Sequence, residues 1–260
     1  AGQFAGAAAA RRGPTGPFEL STGFLLVGGL LAALLWKENV AENSNSDNKP
    51  SIREAVEVIQ KDPKIMLVGA VQSLFEAAMY IFVLQWPPAI SKAVVKAFGA
   101  GSATPYGTVF SCFMASCLLG SSLFGQLAKM GVATEVFTSS MLSVATLAMA
   151  AATFTVSTSS SVISMSLACL MGAFFAFEAC VGMYFPSIGT LRSKYVPDSH
   201  RSVIMNLFGI PLNLLVVSVF LSTNWLGVKG ALTVSSTALG IATLCMFKLR
   251  SMTTGKNTAA

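Results

Sequence analysis

Charged residues in this chain fall in short clusters, and the stretches between the clusters are apolar on every side. Residues 20–36 and 97–128 carry no charge, 65–91 carry only Glu76, and 202–228 and 230–247 carry none. A membrane-spanning helix needs about 20 mostly apolar residues, so each stretch is long enough to cross a bilayer. The uncharged run 136–177 has length for two spans, and Ser157-Thr158-Ser159-Ser160-Ser161 in its middle reads as a tight turn between them. The pattern predicts seven spans, at roughly 18–36, 64–85, 105–127, 133–155, 162–185, 202–222 and 227–248. A membrane barrel would need segments of about ten residues alternating apolar and polar, unlike these runs. The expected fold is an all-α membrane protein, a polytopic helical bundle.

Composition excludes the soluble alternatives. The 260 residues are 53% hydrophobic and 11% charged, against about 25% charged in an ordinary soluble domain. Five cysteines, an odd number in a long chain, do not make a disulfide scaffold, and disorder needs the opposite composition. The net charge of +6 reads as topology, and no nucleic acid partner is expected. Twelve of the 17 lysines and arginines fall on one side of the predicted spans, and five, Arg11, Arg12, Lys92, Lys96 and Lys229, on the other. The richer side is assigned to the cytoplasm, so the chain starts outside and ends inside.

The connecting segments set the domain reading. Residues 1–36 are read as the end of an N-terminal half, 37–63 as a cytoplasmic central loop, 64–250 as a C-terminal six-helix bundle and 251–260 as a cytoplasmic tail. Residues 1–10 are apolar but too short to span and lack the lysine-rich head of a signal. They read as the stump of an earlier span, which makes the chain a fragment. Residues 37–49, rich in Asn, Ser and Glu, are expected to be disordered. Ser51 followed by Glu54 matches a capping box. Ile52, Val56 and Ile59 then recur at helical spacing, predicting a short amphipathic helix on the cytoplasmic face. Asp62-Pro63 opens the next span.

Two carboxylates inside predicted spans are the strongest functional candidates, because an acidic residue at the bilayer centre costs about 2.5–3.5 kcal/mol. Gln72, Glu76 and Tyr80 are each one turn apart and share a helix face. Glu178 lies in the fifth span, with Gly182 one turn on. The functional reading is that Glu76 and Glu178 line a solute path and one exchanges protons; the plainer one makes each an internal hydrogen-bonded clamp. Asn206, Gly209 and Asn213 share one side of the sixth span, where Pro211 breaks the helix. Such breaks occur at transporter substrate sites, while asparagines also tie helices together. Ser116 with Gly120, Gly172 with Ala176 and Gly28 with Ala32 read as packing pairs, the five cysteines as buried packing, and His200 as a helix-start residue. Trp86, Tyr106 and Trp225 read as interfacial belt residues. No metal-ligand spacing, phosphate loop or hydrolase motif is present, so neither a cofactor nor an enzyme is expected.

Several blocks together resemble the molybdate-anion transporter family, an atypical branch of the major facilitator superfamily. They are Gln72-Ser73-Leu74-Phe75-Glu76 running on to Trp86-Pro87-Pro88, Ser116-Cys117-Leu118-Leu119-Gly120-Ser121-Ser122 and Phe177-Glu178-Ala179-Cys180-Val181-Gly182 with Tyr184-Phe185-Pro186-Ser187. Leu191-Arg192-Ser193-Lys194-Tyr195-Val196-Pro197 and Ile210-Pro211-Leu212-Asn213 complete the set. The resemblance runs from about 13 to 247. It implies a twelve-helix transporter whose two bundles rock about a central site, with this chain holding the sixth span, the central loop and the second half. The implied partners are the lipid bilayer, a small molybdate-like anion and the missing N-terminal half, in a cell membrane, most naturally the plasma membrane. One departure stands out: the family pattern has an arginine before Ile-Pro, and this chain has Gly209. On the predicted spans no lysine or arginine is interior. A proton-coupled carrier of another small solute, a seven-helix receptor and a non-transporting half-protein are the competing readings.

Overall fold

Because hydrocarbon offers backbone groups no partners, the apolar runs can be satisfied only as helices. The computed structural model describes residues 2–37, 51–157 and 163–257, and every regular element among them is helical. They are α1 (Gly2–Arg12), α2 (Gly16–Leu35), α3 (Ile52–Lys61), α4 (Pro63–Phe98), α5 (Tyr106–Lys129), α6 (Thr134–Ser157), α7 (Ile163–Tyr195), α8 (Arg201–Leu221) and α9 (Thr223–Asn257), with a 3-10 turn at Asp198–His200. Among the described residues, α2 and α4 to α9 are the seven helices long and apolar enough to cross a membrane. The expected turn at 158–161 and the expected disorder within 38–49 lie outside the described residues.

Three helices are longer than the sequence pattern predicts: α9 reaches Asn257, past the expected end at 248, and two others run on through prolines. α4 continues through Pro87 and Pro88 to Phe98, and α7 continues through Pro186 to Tyr195. The predicted spans stop at 85 and 185, one or two residues short of these prolines. In water an interior proline usually ends a helix. In a membrane bundle the freed carbonyls find partners in neighbouring helices and the helix goes on. Trp86 is accordingly buried within α4, edge-on to Phe113, and not placed at a span end as a belt residue. α9 is bent at Gly227, whose φ of 56° favours glycine.

The chain divides into two compact units, one drawn from Ala1–Lys49 and Pro105–Cys112, the other from Pro50–Thr104 and Phe113–Ala260. In the first, α1 packs on α2 where Gly16 meets the Ala8 carbonyl too closely for any side chain. In the second, α4 and α6 pack on α9, α6 on α7, and α4 on α7 and α8. Its centre is aromatic: Phe82 contacts Phe113, Phe174 and Phe177, and Phe75 stacks on Tyr184 with ring centroids 4.0 Å apart.

Local signals at the start of this unit read well. Ser51 Oγ accepts from the Glu54 amide at 3.2 Å while Glu54 accepts from the Ser51 amide at 3.1 Å, completing the capping box. The Asp62 carboxylate accepts from the Lys64 amide at 2.8 Å, capping α4. The apolar face of α3 is rotated from the expected one, however. Ala55 is buried against Ile65, Val196, Ile204 and Phe208, with Val58 and Ile59 alongside, and Ile52 is exposed. The helix packs on α4 and α8, and that contact selects its buried side.

Close approach of α5 and α7 depends on two glycines. A methyl group on Gly120 would lie 1.8 Å from the Ala179 carbonyl oxygen, and one on Gly182 would lie 1.8 Å from that of Cys117. Gly28 and Gly172, by contrast, face open space, which corrects their reading as packing positions. Gly182→Ala is therefore expected to destabilise the protein by about 1–3 kcal/mol, a drop of roughly 2–10 °C in thermal unfolding in detergent. Gly28→Ala should cause no loss. An unchanged Tm for both Gly120→Ala and Gly182→Ala would refute the close crossing.

Candidate functional site

Arg192 stands one turn before the end of α7, where a long cation would ordinarily bend back toward the water interface. It reaches into the bundle. Its Nε donates to Gln72 Oε1 at 2.9 Å and its Nη2 to Glu76 Oε1 at 3.0 Å. The Tyr184 hydroxyl donates to the same Glu76 oxygen at 2.9 Å. Glu76 lies 13 residues along α4 from Pro63, about 20 Å at 1.5 Å per residue, so the cluster sits well within the helix bundle. The Arg192 and Glu76 side chains are 27% and 18% exposed, shielded enough for the pair to matter and open enough to meet a solute.

The sequence explains the arrangement locally. Gln72 and Glu76 are one turn apart on α4, and Tyr184 and Arg192 two turns apart on α7, so each helix presents a polar stripe to the other. Phe75, next to Glu76, stacks on the fully buried Tyr184 ring and fixes its hydroxyl beside the carboxylate. In apolar surroundings hydrogen bonds to charged groups hold about 1.5–3 kcal/mol each, so the four side chains act as one unit.

The structure thus brings Gln72 and Glu76 together and adds Tyr184 and Arg192, which sequence reasoning did not select. Tyr80, one turn beyond Glu76, is exposed and joins no hydrogen bond of the cluster among the described residues. Glu178 is buried on α7 near Cys117 at the α5 crossing, and accepts no hydrogen bond among the described residues. Asn206 and Asn213 are both exposed on α8, and the Asn213 amide donates to the Gly209 carbonyl of its own helix at 2.8 Å. The reading that no lysine or arginine enters the bundle is corrected by Arg192. It had been placed in a loop because the predicted fifth span ended before Pro186. The usable signal was Pro197, the breaker just before which α7 does stop, with Arg192 and Lys194 in the helix's last turn.

A second polar knot lies at the same end of the bundle as α3. Lys194 and Tyr195 both donate to Oε1 of buried Glu135 at the start of α6, and Tyr195 meets Thr253 of α9 at 3.1 Å. Lys64 of α4 lies 5.8 Å from the Tyr195 ring centroid. An opening of about 550 Å³ along α5, α6 and α7 is apolar, lined by side chains such as Leu123, Phe137 and Met141. Among the described residues no three His, Cys, Asp or Glu side chains could share a metal ion. The cysteines are not uniformly buried: Cys180 is, but Cys112 and Cys169 are exposed.

A family model for sugar transporters with 12 TM, MFS_5, matches residues 1–177. The chain belongs to this family. Its members are major-facilitator transporters and not enzymes, so this is an integral membrane protein. The chain is 29% identical to a molybdate-anion transporter of Xenopus tropicalis over 78% of its own length and 42% of the relative's. It is 26% identical to the Xenopus laevis molybdate-anion transporter over 92% of its length and 51% of the relative's, and 29% identical to that of Danio rerio over 78% and 44%. It therefore spans about half the length of the curated relatives it matches. No solved structure matches. The MFS_5 match ends before Tyr184 and Arg192, so the family model covers the α4 side of the cluster and not the α7 side.

Removing one member of the cluster should expose the coupling among the rest. Arg192→Leu is expected to lower stability in detergent by about 1.5–3 kcal/mol, because Glu76 loses its cation. Glu76→Gln combined with Arg192→Leu should recover much of that loss. Strictly additive effects in the double variant would mean that the two side chains do not interact.

Proposed function

We propose that the chain is the last N-terminal span, the central loop and the C-terminal half of a secondary transporter of the major facilitator type that moves molybdate or a related tetrahedral oxyanion by alternating access. In this reading residues 1–36 end the N-terminal half, 37–63 form the cytoplasmic loop, 64–250 form the C-terminal bundle, and 251–260 are the tail. The α3 end faces the cytoplasm, the membrane is the plasma membrane, and the N-terminal half completes the solute path. The names of the relatives support an anionic cargo, while the family description speaks of sugars.

The observation that carries the anion reading is the Arg192 guanidinium. Of its five N–H groups, two are engaged, by Gln72 and Glu76. The others leave a forked donor edge, and a planar fork is the side-chain geometry best suited to two oxygens of an oxyanion. Gln72 and Tyr184 add neutral hydrogen-bonding groups beside it. Gly209 stands where the resembled family has arginine, and Arg192 supplies the cation from α7.

Glu178 favours proton linkage as a second reading, since a buried carboxyl without a nearby cation can take up and release a proton as its surroundings open. Uptake of radiolabelled molybdate by cells expressing the complete protein tests the main proposal. Arg192→Gln should lower uptake at least about tenfold, the scale of one lost charge-assisted contact. Uptake of a labelled sugar but no molybdate would overturn the anion reading. Intact molybdate uptake by Arg192→Gln would remove Arg192 from the site.

A further inference from the structure

At the end of the bundle opposite α3, the extension of α4 beyond Pro87 and Pro88 carries Lys92 and Lys96, one turn apart on one face. Both line a small, partly open cavity of about 130 Å³, together with Ala89 of α4, Thr155 of α6, and Ser166 and Leu170 of α7. At roughly 30 Å³ per water, that space suits one small oxyanion with part of its hydration shell.

The charge distribution around this cavity is one-sided. The second unit has no Asp or Glu in 77–134, 136–177 or 199–260, and its carboxylates, Glu54, Glu57, Asp62, Glu76, Glu135, Glu178 and Asp198, lie at the α3 end or inside the bundle. Within this unit the opposite end therefore holds Lys92, Lys96 and Lys229 with no acidic side chain to balance them. Neither Lys92 nor Lys96 makes an ion pair or hydrogen bond among the described residues. Complementing the carbonyl end of α4 accounts for Lys96 in its last turn. It does not account for Lys92 a turn earlier, since like charges at this spacing repel.

We infer that Lys92 and Lys96 form a capture site for tetrahedral oxyanions at the outer mouth of the transporter, distinct from the Arg192 cluster within the bundle. The inference rests on the oxyanion reading for its role in transport. The site raises the local concentration of an anion before the path opens, and its effect is on association and falls with ionic strength. The same chemistry could hold a lipid phosphate, so the test separates the two sources.

In the complete transporter, Lys92→Gln with Lys96→Gln should raise the KM for molybdate uptake about five- to tenfold at low salt and leave kcat unchanged. The difference should shrink at high salt, and Lys92→Arg with Lys96→Arg should restore the wild-type KM. Binding of labelled molybdate and sulfate to delipidated, detergent-purified protein is measured in parallel. If the wild type transports no molybdate but the Gln pair still lowers anion binding, the site stands and the cargo reading fails. Unchanged KM and unchanged anion binding overturn the site. Anion binding unaffected by the Gln pair, together with loss of co-purifying phospholipid from it, assigns the lysines to headgroups and also overturns the proposal.

Discussion

A charged group inside hydrocarbon must be met by another polar group, and the placement of Glu76 makes that demand on every helix around it. The carboxylate is too far along α4 for its own helix end to serve it. It is served from α7, by the guanidinium of Arg192 and the hydroxyl of Tyr184, both on the same oxygen. That requirement explains why α7 must remain helical through Pro186, since only a continuous helix holds Tyr184 and Arg192 on one face. It also explains the stack of Phe75 on Tyr184, because an unanchored phenol would not hold its hydroxyl at the carboxylate. Sequence, backbone continuity, ring packing and electrostatics are linked here by one unpaired charge and its solution.

The last turn of α7 distributes its polar groups in three directions. Arg192 goes to α4, Lys194 to Glu135 of α6, and Tyr195 to both Glu135 and Thr253 of α9. A shift of this turn by one helical step would disturb both knots together, since the same few residues anchor each. Close contact of Gly120 and Gly182 holds α7 against α5 further along, where side chains would separate them. The helix is thus pinned at two levels by different physics, polar pairing at one end and backbone proximity near its middle. Glu178 lies one turn before Gly182, on the side away from Arg192, and accepts no hydrogen bond among the described residues, which sets it apart chemically from the paired Glu76 and Glu135.

Much of this was legible from the chain because charge is so costly in lipid that its absence marks the spans. The seven helices, the all-α class, the capping box at Ser51 and Glu54, and the helix start at Asp62 all follow from local rules that the membrane strengthens. Helix ends were less legible. Prolines that stop helices in water do not stop α4 at Pro87 or α7 at Pro186, and the error at Pro186 hid Arg192 among the loop charges. Tyr80 shares a helical face with Glu76 in sequence, yet the carboxylate's tyrosine partner is Tyr184, 108 residues away. Spacing along one helix says which side chains are neighbours, and says nothing about which helix faces them. The buried side of α3 was misplaced for the same reason: Ala55 is small enough to fit against α4 and α8, whereas Ile52 is more apolar but points away.

The sugar-transporter family description and the molybdate names of the relatives ask different things of one site. A sugar is neutral and is recognised by hydroxyl and amide hydrogen bonds, so a strong unit charge beside it would have to be neutralised by the protein. Glu76 does that for Arg192, and Gln72 with Tyr184 would supply neutral donors and acceptors. An oxyanion needs the positive charge uncovered at least in part, and it gains most if Glu76 can give up its share of the guanidinium to the incoming solute. Tyr184 would make that exchange less costly, because its hydroxyl already donates to the same Glu76 oxygen as Arg192. On the proposed oxyanion reading, the pairing that stabilises the bundle is the one a tetrahedral anion would compete with, and the strength of the Glu76 to Arg192 contact would set how selectively the bundle distinguishes a charged cargo from a neutral one.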